Sequence, residues 1–173
     1  TIDGNSDALA DVERINYTEQ INGRLRVNSM GGNDAFYMDD NSSITTLDGG
    51  IGNDLFQFGQ IFKSARDSAA AILAGDVFAT VETTRGFLSN GASNPVTAYG
   101  GAGEDTFQVY HNLAVLRLEG GDDNDSFIVR AFVVLDDAAK QAMTYINSGD
   151  GADKIQYVVN APVSIDGGDG FDT

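Results

Sequence analysis

Six aspartates in one recurring setting are the residues of this chain best suited to chemistry. Asp34, Asp54, Asp105, Asp125, Asp153 and Asp172 stand 20, 51, 20, 28 and 19 residues apart. The turn before them has its fullest form, Gly-Gly-x-Gly-x-Asp, at Gly49-Gly50, Gly100-Gly101 and Gly167-Gly168. Glycine reaches positive φ without a Cβ clash, so closely spaced glycines let backbone carbonyls curl toward one point. A carboxylate two residues later can face the same point. Carbonyl and carboxylate oxygens converging in this way suit a hard divalent cation, calcium above others. The candidate ligands are the six aspartates with Gly50, Gly52, Gly101, Gly103, Gly121, Asp123, Gly149, Gly151, Gly168 and Gly170. Glycine and aspartate also make ordinary turns. What favours an ion is six copies in register, each flanked by apolar strand. Asp123 takes the place of the last glycine in its loop, which predicts a distorted site or an added carboxylate ligand.

The elements that must position these loops recur at fixed offsets. Seven residues before each aspartate stands Val27, Leu47, Ala98, Leu118, Ile146 or Ile165, and two before those stands Leu25, Thr45, Val96, Leu116, Thr144 or Val163. Two residues after the first five aspartates comes Phe36, Phe56, Phe107, Phe127 or Ile155, and four after comes Met38, Phe58, Val109, Val129 or Tyr157. A spacing of two places side chains on one face of a strand. Fixed offsets over six copies mark a repeat protein. Stacked coils would turn these columns into inward ladders, with each large buried side chain contributing roughly 1.5–3 kcal/mol. The only two prolines, Pro95 and Pro162, occupy one place in the pattern, immediately before Val96 and Val163. Proline lacks a backbone donor and suits a strand start. The polar run Asp39 to Ser43 reads as the turn opposite the glycine edge. The expected fold is all-β: a parallel β-roll or β-helix solenoid with coils of about 20 residues, the shortest aspartate spacings being 19 and 20.

GGIGNDLFQ (Gly49 to Gln57), GGAGEDTFQ (Gly100 to Gln108), GGDDNDSFI (Gly120 to Ile128) and the shorter GGDGFDT (Gly167 to Thr173) resemble the nonapeptide calcium repeat of RTX proteins. The resemblance implies a parallel β-roll or β-helix, calcium held between successive turns, and export from bacteria to the cell surface or medium. It therefore implies a structural module of an adhesin, a matrix protein or an RTX-like toxin. In that family the nonapeptides follow one another directly. Here the wider spacing places the glycine loops on one edge of a longer coil. Ions are expected between Asp34 and Asp54, Asp105 and Asp125, and Asp153 and Asp172.

Composition narrows the classes further. The formal net charge is -16, and of 26 acids 21 are Asp and 5 Glu, an excess that fits turns and ion ligands better than helices. Such a charge disfavours nucleic acid as a partner. Hydrophobic residues make up 42%, enough for a real core. The absence of cysteine excludes a disulfide scaffold, a thiolate metal site and a cysteine nucleophile. No apolar run is long enough to span a membrane, and no signal peptide is visible. The pattern starts and stops mid-repeat, so residues 1–173 read as one segment of a longer array whose neighbours are adjacent repeats.

The period breaks between Gln60 and Asn94. Ala65 to Ala74 has helix-forming composition, Val77 to Val81 reads as a strand, and Arg85 to Asn94 as loop. This excursion from the solenoid gives an alternative function, a module contacting a host or matrix glycan or protein through Phe87 and Leu88. A second excursion, Asp136 to Met143, reads as a helical turn or two capped by Asp136 or Asp137. At the N-terminus Asp7 suggests a degenerate loop, and Val12 to Tyr17 a strand. The chain has one histidine, His111, expected on a surface turn. Nucleophile-elbow, phosphate-loop and zinc-protease motifs are absent, so no catalytic residue is assigned. Arg24, Arg26, Arg117 and Arg130 have outward parity. They keep open a second alternative, a β-helix enzyme acting on polysaccharides, which would need a carboxylate pair beside an arginine in a groove.

Overall fold

The computed structural model describes residue 15 and residues 23–67, 77–135 and 139–173. Two parallel sheets dominate, and the chain alternates between them. The first contains β1 (Leu25–Asn28), β3 (Thr45–Ile51), β8 (Val96–Ala102), β10 (Leu116–Asp122), β12 (Thr144–Gly151) and β14 (Val163–Asp166), in that spatial order; β15 (Asp169–Gly170) also pairs with β12. The second contains β2 (Ala35–Met38), β4 (Leu55–Phe58), β9 (Thr106–Val109), β11 (Ser126–Val129) and β13 (Lys154–Tyr157). Each glycine loop joins a strand of the first sheet to the next strand of the second. The arrangement is that of a parallel β-roll or solenoid.

The offsets in the sequence become registers in space. Leu25 pairs with Thr45, Thr45 with Val96, Val96 with Leu116, Leu116 with Thr144 and Thr144 with Val163. The coil containing Asp54 thus stacks directly on the coil containing Asp105, and the intervening excursion is extruded from the stack. Alternation in β3, β8 and β10 buries every second residue, as strand geometry requires. Phe36, Phe56, Phe107 and Phe127 form a continuous stack, with centroids 4.9, 4.8 and 4.8 Å apart and planes within 8° of parallel. That spacing is the distance between neighbouring strands, so the rings are held at offset-stacking distance by the backbone ladder itself. Phe56, Phe107 and Phe127 are wholly buried.

The edge opposite the glycine loops is closed by asparagine. Asn41 is buried, donates to the Ser43 and Asn94 carbonyls at 2.8 and 3.1 Å, and accepts the Asn94 N–H at 2.8 Å. Asn112, fully buried, donates to the Ala114 and Ala142 carbonyls at 2.9 and 3.2 Å. These amides satisfy turn carbonyls that would otherwise be orphaned in the interior.

The excursions differ from the sequence-based expectation. Gly86–Ser89, expected as loop, is β7, the central strand of an antiparallel sheet flanked by β5 (Ile61–Phe62) and β6 (Thr80–Thr83). The strand expected at Val77 to Val81 therefore starts later and runs further. Its register is set by a tight turn that pairs Thr83 with Gly86, where φ is 134° and a side chain would meet the Phe62 carbonyl. Leu88, proposed as a partner contact, is wholly buried beneath this small sheet, while Phe87 is half-buried. Of the expected helix at Ala65 to Ala74, residues 65–67 are non-helical and residues 68–74 lie outside the described residues. The Asp7 loop, the Asp136 or Asp137 cap and all of Val12 to Tyr17 except Ile15 also lie outside them. The first excursion meets the residues just before the second: Thr83 bridges Val134, and the Leu135 N–H donates to the Glu82 carbonyl at 3.3 Å. His111, expected on the surface, is 2% exposed, and its Nε2 lies 2.9 Å from the Ala139 carbonyl. The second excursion folds over it, and burial lowers its pKa by disfavouring the imidazolium.

Candidate metal centre

The strand–loop–strand repeat brings all six aspartates into one column along the glycine edge. Their backbone and side chains form a directional ladder. Oδ1 of Asp54 accepts the N–H of Asp34 at 2.8 Å, and Oδ1 of Asp105 that of Asp54 at 2.7 Å. Oδ1 of Asp125 accepts from Asp105 and Oδ1 of Asp153 from Asp125, both at 2.8 Å, and Oδ1 of Asp172 from Asp153 at 3.2 Å. From Asp54 onward every carboxylate of the column reaches back one coil. The sequence-based pairing into three couples is replaced by five consecutive steps, because the 51- and 28-residue gaps are bridged as closely as the shorter ones.

The other oxygen of each carboxylate is the chemically informative one. Oδ2 of Asp34, Asp54, Asp105, Asp125 and Asp153 is buried and accepts no hydrogen bond among the described residues. Each aspartate from Asp54 to Asp153 is no more than 2% exposed. A Cβ built on Gly49, Gly100 or Gly120 would collide with Oδ2 of Asp54, Asp105 or Asp125, and would also crowd the carbonyl of Gly100, Gly120 or Ser148 in the next coil. The first glycine is thus required for space, which lets a carboxylate oxygen and a backbone carbonyl share one small volume. The second glycine is required for conformation as well: Gly101 has φ 112°, and a side chain there would strike the Gly50 carbonyl. Asp123 holds φ 77° where Gly52, Gly103, Gly151 and Gly170 hold 135°, 122°, 150° and 142°, so the turn keeps a positive φ but shifts into the range aspartate tolerates.

Burial and stacking act on ionisation. Desolvation, then repulsion from Asp54 and Asp123, raises Asp105 to about 6 against an opposing backbone hydrogen bond. Desolvation, then repulsion from Asp105, Asp153 and Asp123, raises Asp125 to about 7. Asp54 is raised by desolvation and by Asp34. An unpartnered buried carboxylate oxygen can be satisfied by a proton shared with a carbonyl, by a buried water or by a cation. The donor set is all oxygen, two carboxylates per step and otherwise carbonyls, and it fits a calcium-like ion. No group of three or more His, Asp or Glu side chains gathers among the described residues. A cation here would therefore draw most of its ligands from the backbone.

Two features of the site escaped the sequence reading. At Ser29, legible in the sequence as a glycine replacement, and at Ser148, the hydroxyls donate at 2.7 Å to the Gly49 and Gly167 carbonyls of the next coil, bonds that only the structure shows. Asn33, Asn53 and Asn124, each one residue before a ladder aspartate, form a parallel ladder. Their Oδ1 atoms accept the N–H of Asn53, Glu104 and Ala152 at 2.9, 3.1 and 2.8 Å. The recurrence of asparagine at that offset was the available signal. Comparison with family models, with the curated proteins and with solved structures gave no match, so the geometry of this ladder carries the functional reading.

Proposed function

We propose that this chain is a calcium-binding structural module of a secreted or cell-surface bacterial protein, one stretch of a longer repeat array that completes its folding on extracellular calcium. The observation that carries this reading is the column of buried, unpartnered Oδ2 atoms, those of Asp54, Asp105 and Asp125 each close to a carbonyl of the adjacent coil. The RTX-like loop sequences point the same way. At low calcium and neutral pH the column sets like charges about one strand spacing apart, roughly 4.8 Å, and that repulsion opposes stacking. A divalent ion between coils removes it and supplies the missing partner. The residues that would hold the ion are Asp34, Asp54, Asp105, Asp125, Asp153 and Asp172, with loop carbonyls between them. Extracellular calcium modules bind at about 10⁻⁴–10⁻³ M. At a hundredfold excess over Kd each site adds about 2.7 kcal/mol, so a few sites match the stability of a whole domain.

The test is a calcium titration of the chain at pH 8, followed by far-UV circular dichroism and calorimetry, with magnesium as comparator. The expected result is a calcium-specific gain of β-structure and of melting temperature, reversed by chelator. A chain equally folded and equally stable in chelator would refute the proposal and leave the glycine loops as turns.

A further inference from the structure

The outer face of the first sheet carries a groove of about 370 Å³ that the glycine-edge ladder does not use. Its walls are two outward rows fixed by strand register: Arg117, Tyr145 and Ser164 in one, Glu119, Asn147 and Asp166 in the other. We propose that this groove is a binding site for a neutral oligosaccharide lying across β10, β12 and β14.

The argument rests on what each group offers a ligand. The Arg117 guanidinium lies 4.6 Å from the centre of the Tyr145 ring, so it braces one side of that ring. Ser164, in register on the other side, is too small to cover it. Tyr145 remains 37% exposed. An aromatic ring held upright with one flank open suits the C–H face of a sugar ring, which is apolar while its hydroxyls point sideways. Those hydroxyls would meet the second row. Asn147 donates to Glu119 Oε2 at 2.8 Å, which orients its amide and leaves its own carbonyl oxygen as an acceptor. Asp166 uses Oδ1 for the Gly168 N–H at 3.3 Å, and Oδ2 remains as a further acceptor. The groove thus combines a ring, a row of acceptors and a guanidinium donor, the complement of a polyol.

Charge selects among ligands. Two carboxylates and one guanidinium line the groove, and the chain carries a formal charge of -16, so a polyanionic glycan is repelled. A basic peptide would meet Arg117 in the groove. Three strands span about 10 Å, and Tyr99, 45% exposed and in register with Glu119, extends the face by one more strand spacing of about 5 Å. That length fits a chain of several sugar rings better than a monosaccharide.

The experiment is isothermal titration calorimetry of the 173-residue chain, in calcium and shown to be folded by circular dichroism. The probes are maltohexaose, cellohexaose and chitohexaose, with hexagalacturonate and hexalysine as charged comparators. At least one neutral hexasaccharide is expected to bind. Tyr145→Ala is expected to weaken it tenfold or more and Asn147→Ala severalfold, while Tyr145→Phe and Gln108→Ala, the latter on the second sheet, leave it unchanged. Failure of all three neutral probes at millimolar concentration would overturn the proposal, as would preference for either charged probe or indifference to Tyr145→Ala. Shortening of a bound hexasaccharide would overturn a binding role in favour of a catalytic one. These results are read separately from the calcium ladder, none of whose aspartates lines the groove.

Discussion

Replacing Asp125 by asparagine should change the sign of its effect with calcium. The substitution keeps an oxygen for the Asp105 N–H, bonded at 2.8 Å in the native chain. It replaces the unpartnered Oδ2 with an NH₂ beside the Ser148 carbonyl, which can accept from it. In chelator at pH 8 the native carboxyl must ionise from a pKa raised to about 7 against an unfolded value of 3.8. Taken at face value that difference disfavours the folded state by roughly 4 kcal/mol. The higher effective dielectric of a real, relaxing protein interior reduces it to about 2 kcal/mol. Asp125→Asn should therefore be the more stable protein in chelator, with a melting temperature higher by about 4–8 °C for a chain of this size. In saturating calcium the order reverses. Asp125 belongs to two steps of the ladder, and two sites at a hundredfold excess over Kd are worth about 5 kcal/mol. Their loss outweighs the gain and leaves the variant about 3 kcal/mol less stable than the native chain. Urea unfolding followed by circular dichroism, with chelator and with 10 mM (about a hundredfold excess) calcium, reads both arms. A variant displaced in the same direction under both conditions would refute the reasoning, since a turn-forming aspartate has no cause to change sign.

Three further outcomes follow from the same structure. The folded state holds protons on Asp54, Asp105 and Asp125 that the unfolded state releases near 3.8, so in chelator stability should fall as pH rises from about 4 through about 7, and calcium should flatten this slope. His111 works oppositely, being lowered, so its contribution is lost as pH falls below 6.5; subtracting the profile of an Asp105→Asn, Asp125→Asn double variant isolates the aspartates, and identical profiles would contradict the assignment. Gly101→Ala adds both a collision with the Gly50 carbonyl and positive-φ strain of about 1–2 kcal/mol, so it should cost about 3 kcal/mol or more in urea unfolding, whereas a loss under 1 kcal/mol (roughly the ordinary helix-interior difference) would mean the loop relaxes freely. Phe107→Ala removes the middle of the ring stack and should cost about 3–5 kcal/mol for the cavity, plus about 0.5–1.5 kcal/mol for each of its two stacked neighbours; a change in melting temperature of only a degree or two would show that the stack is geometry without energy.

Much of the site was legible because its signals are local. An aspartate at a fixed offset from Leu47 and Phe56, or from Ala98 and Phe107, places itself at the end of one strand and the start of the next wherever the coil lies. Inward and outward parity follow from the period of two. The same logic would have found Asn41 and Asn112, which stand at one offset from Asp34 and Asp105 and close the opposite edge. The excursions were not legible in this way. Leu88 pairs with Ile61, 27 residues back, and His111 contacts Ala139, 28 residues on, so both are buried through partners distant in sequence. No periodicity announces those pairings.

The sequence by itself determined that this is a repeat of strand, glycine turn and strand, which residues form the inward columns, and that six aspartates share one edge. Period and offset are properties of the chain that stacking can only preserve. The tertiary structure alone decided that the 51-residue gap is extruded and the six aspartates form one unbroken column. It also decided that Oδ1 of Asp54, Asp105, Asp125 and Asp153 reaches back to the preceding coil while Oδ2 is left buried without a partner. Those facts depend on which coil lies against which, and a carboxylate oxygen is left without a partner only when neighbouring coils bury it.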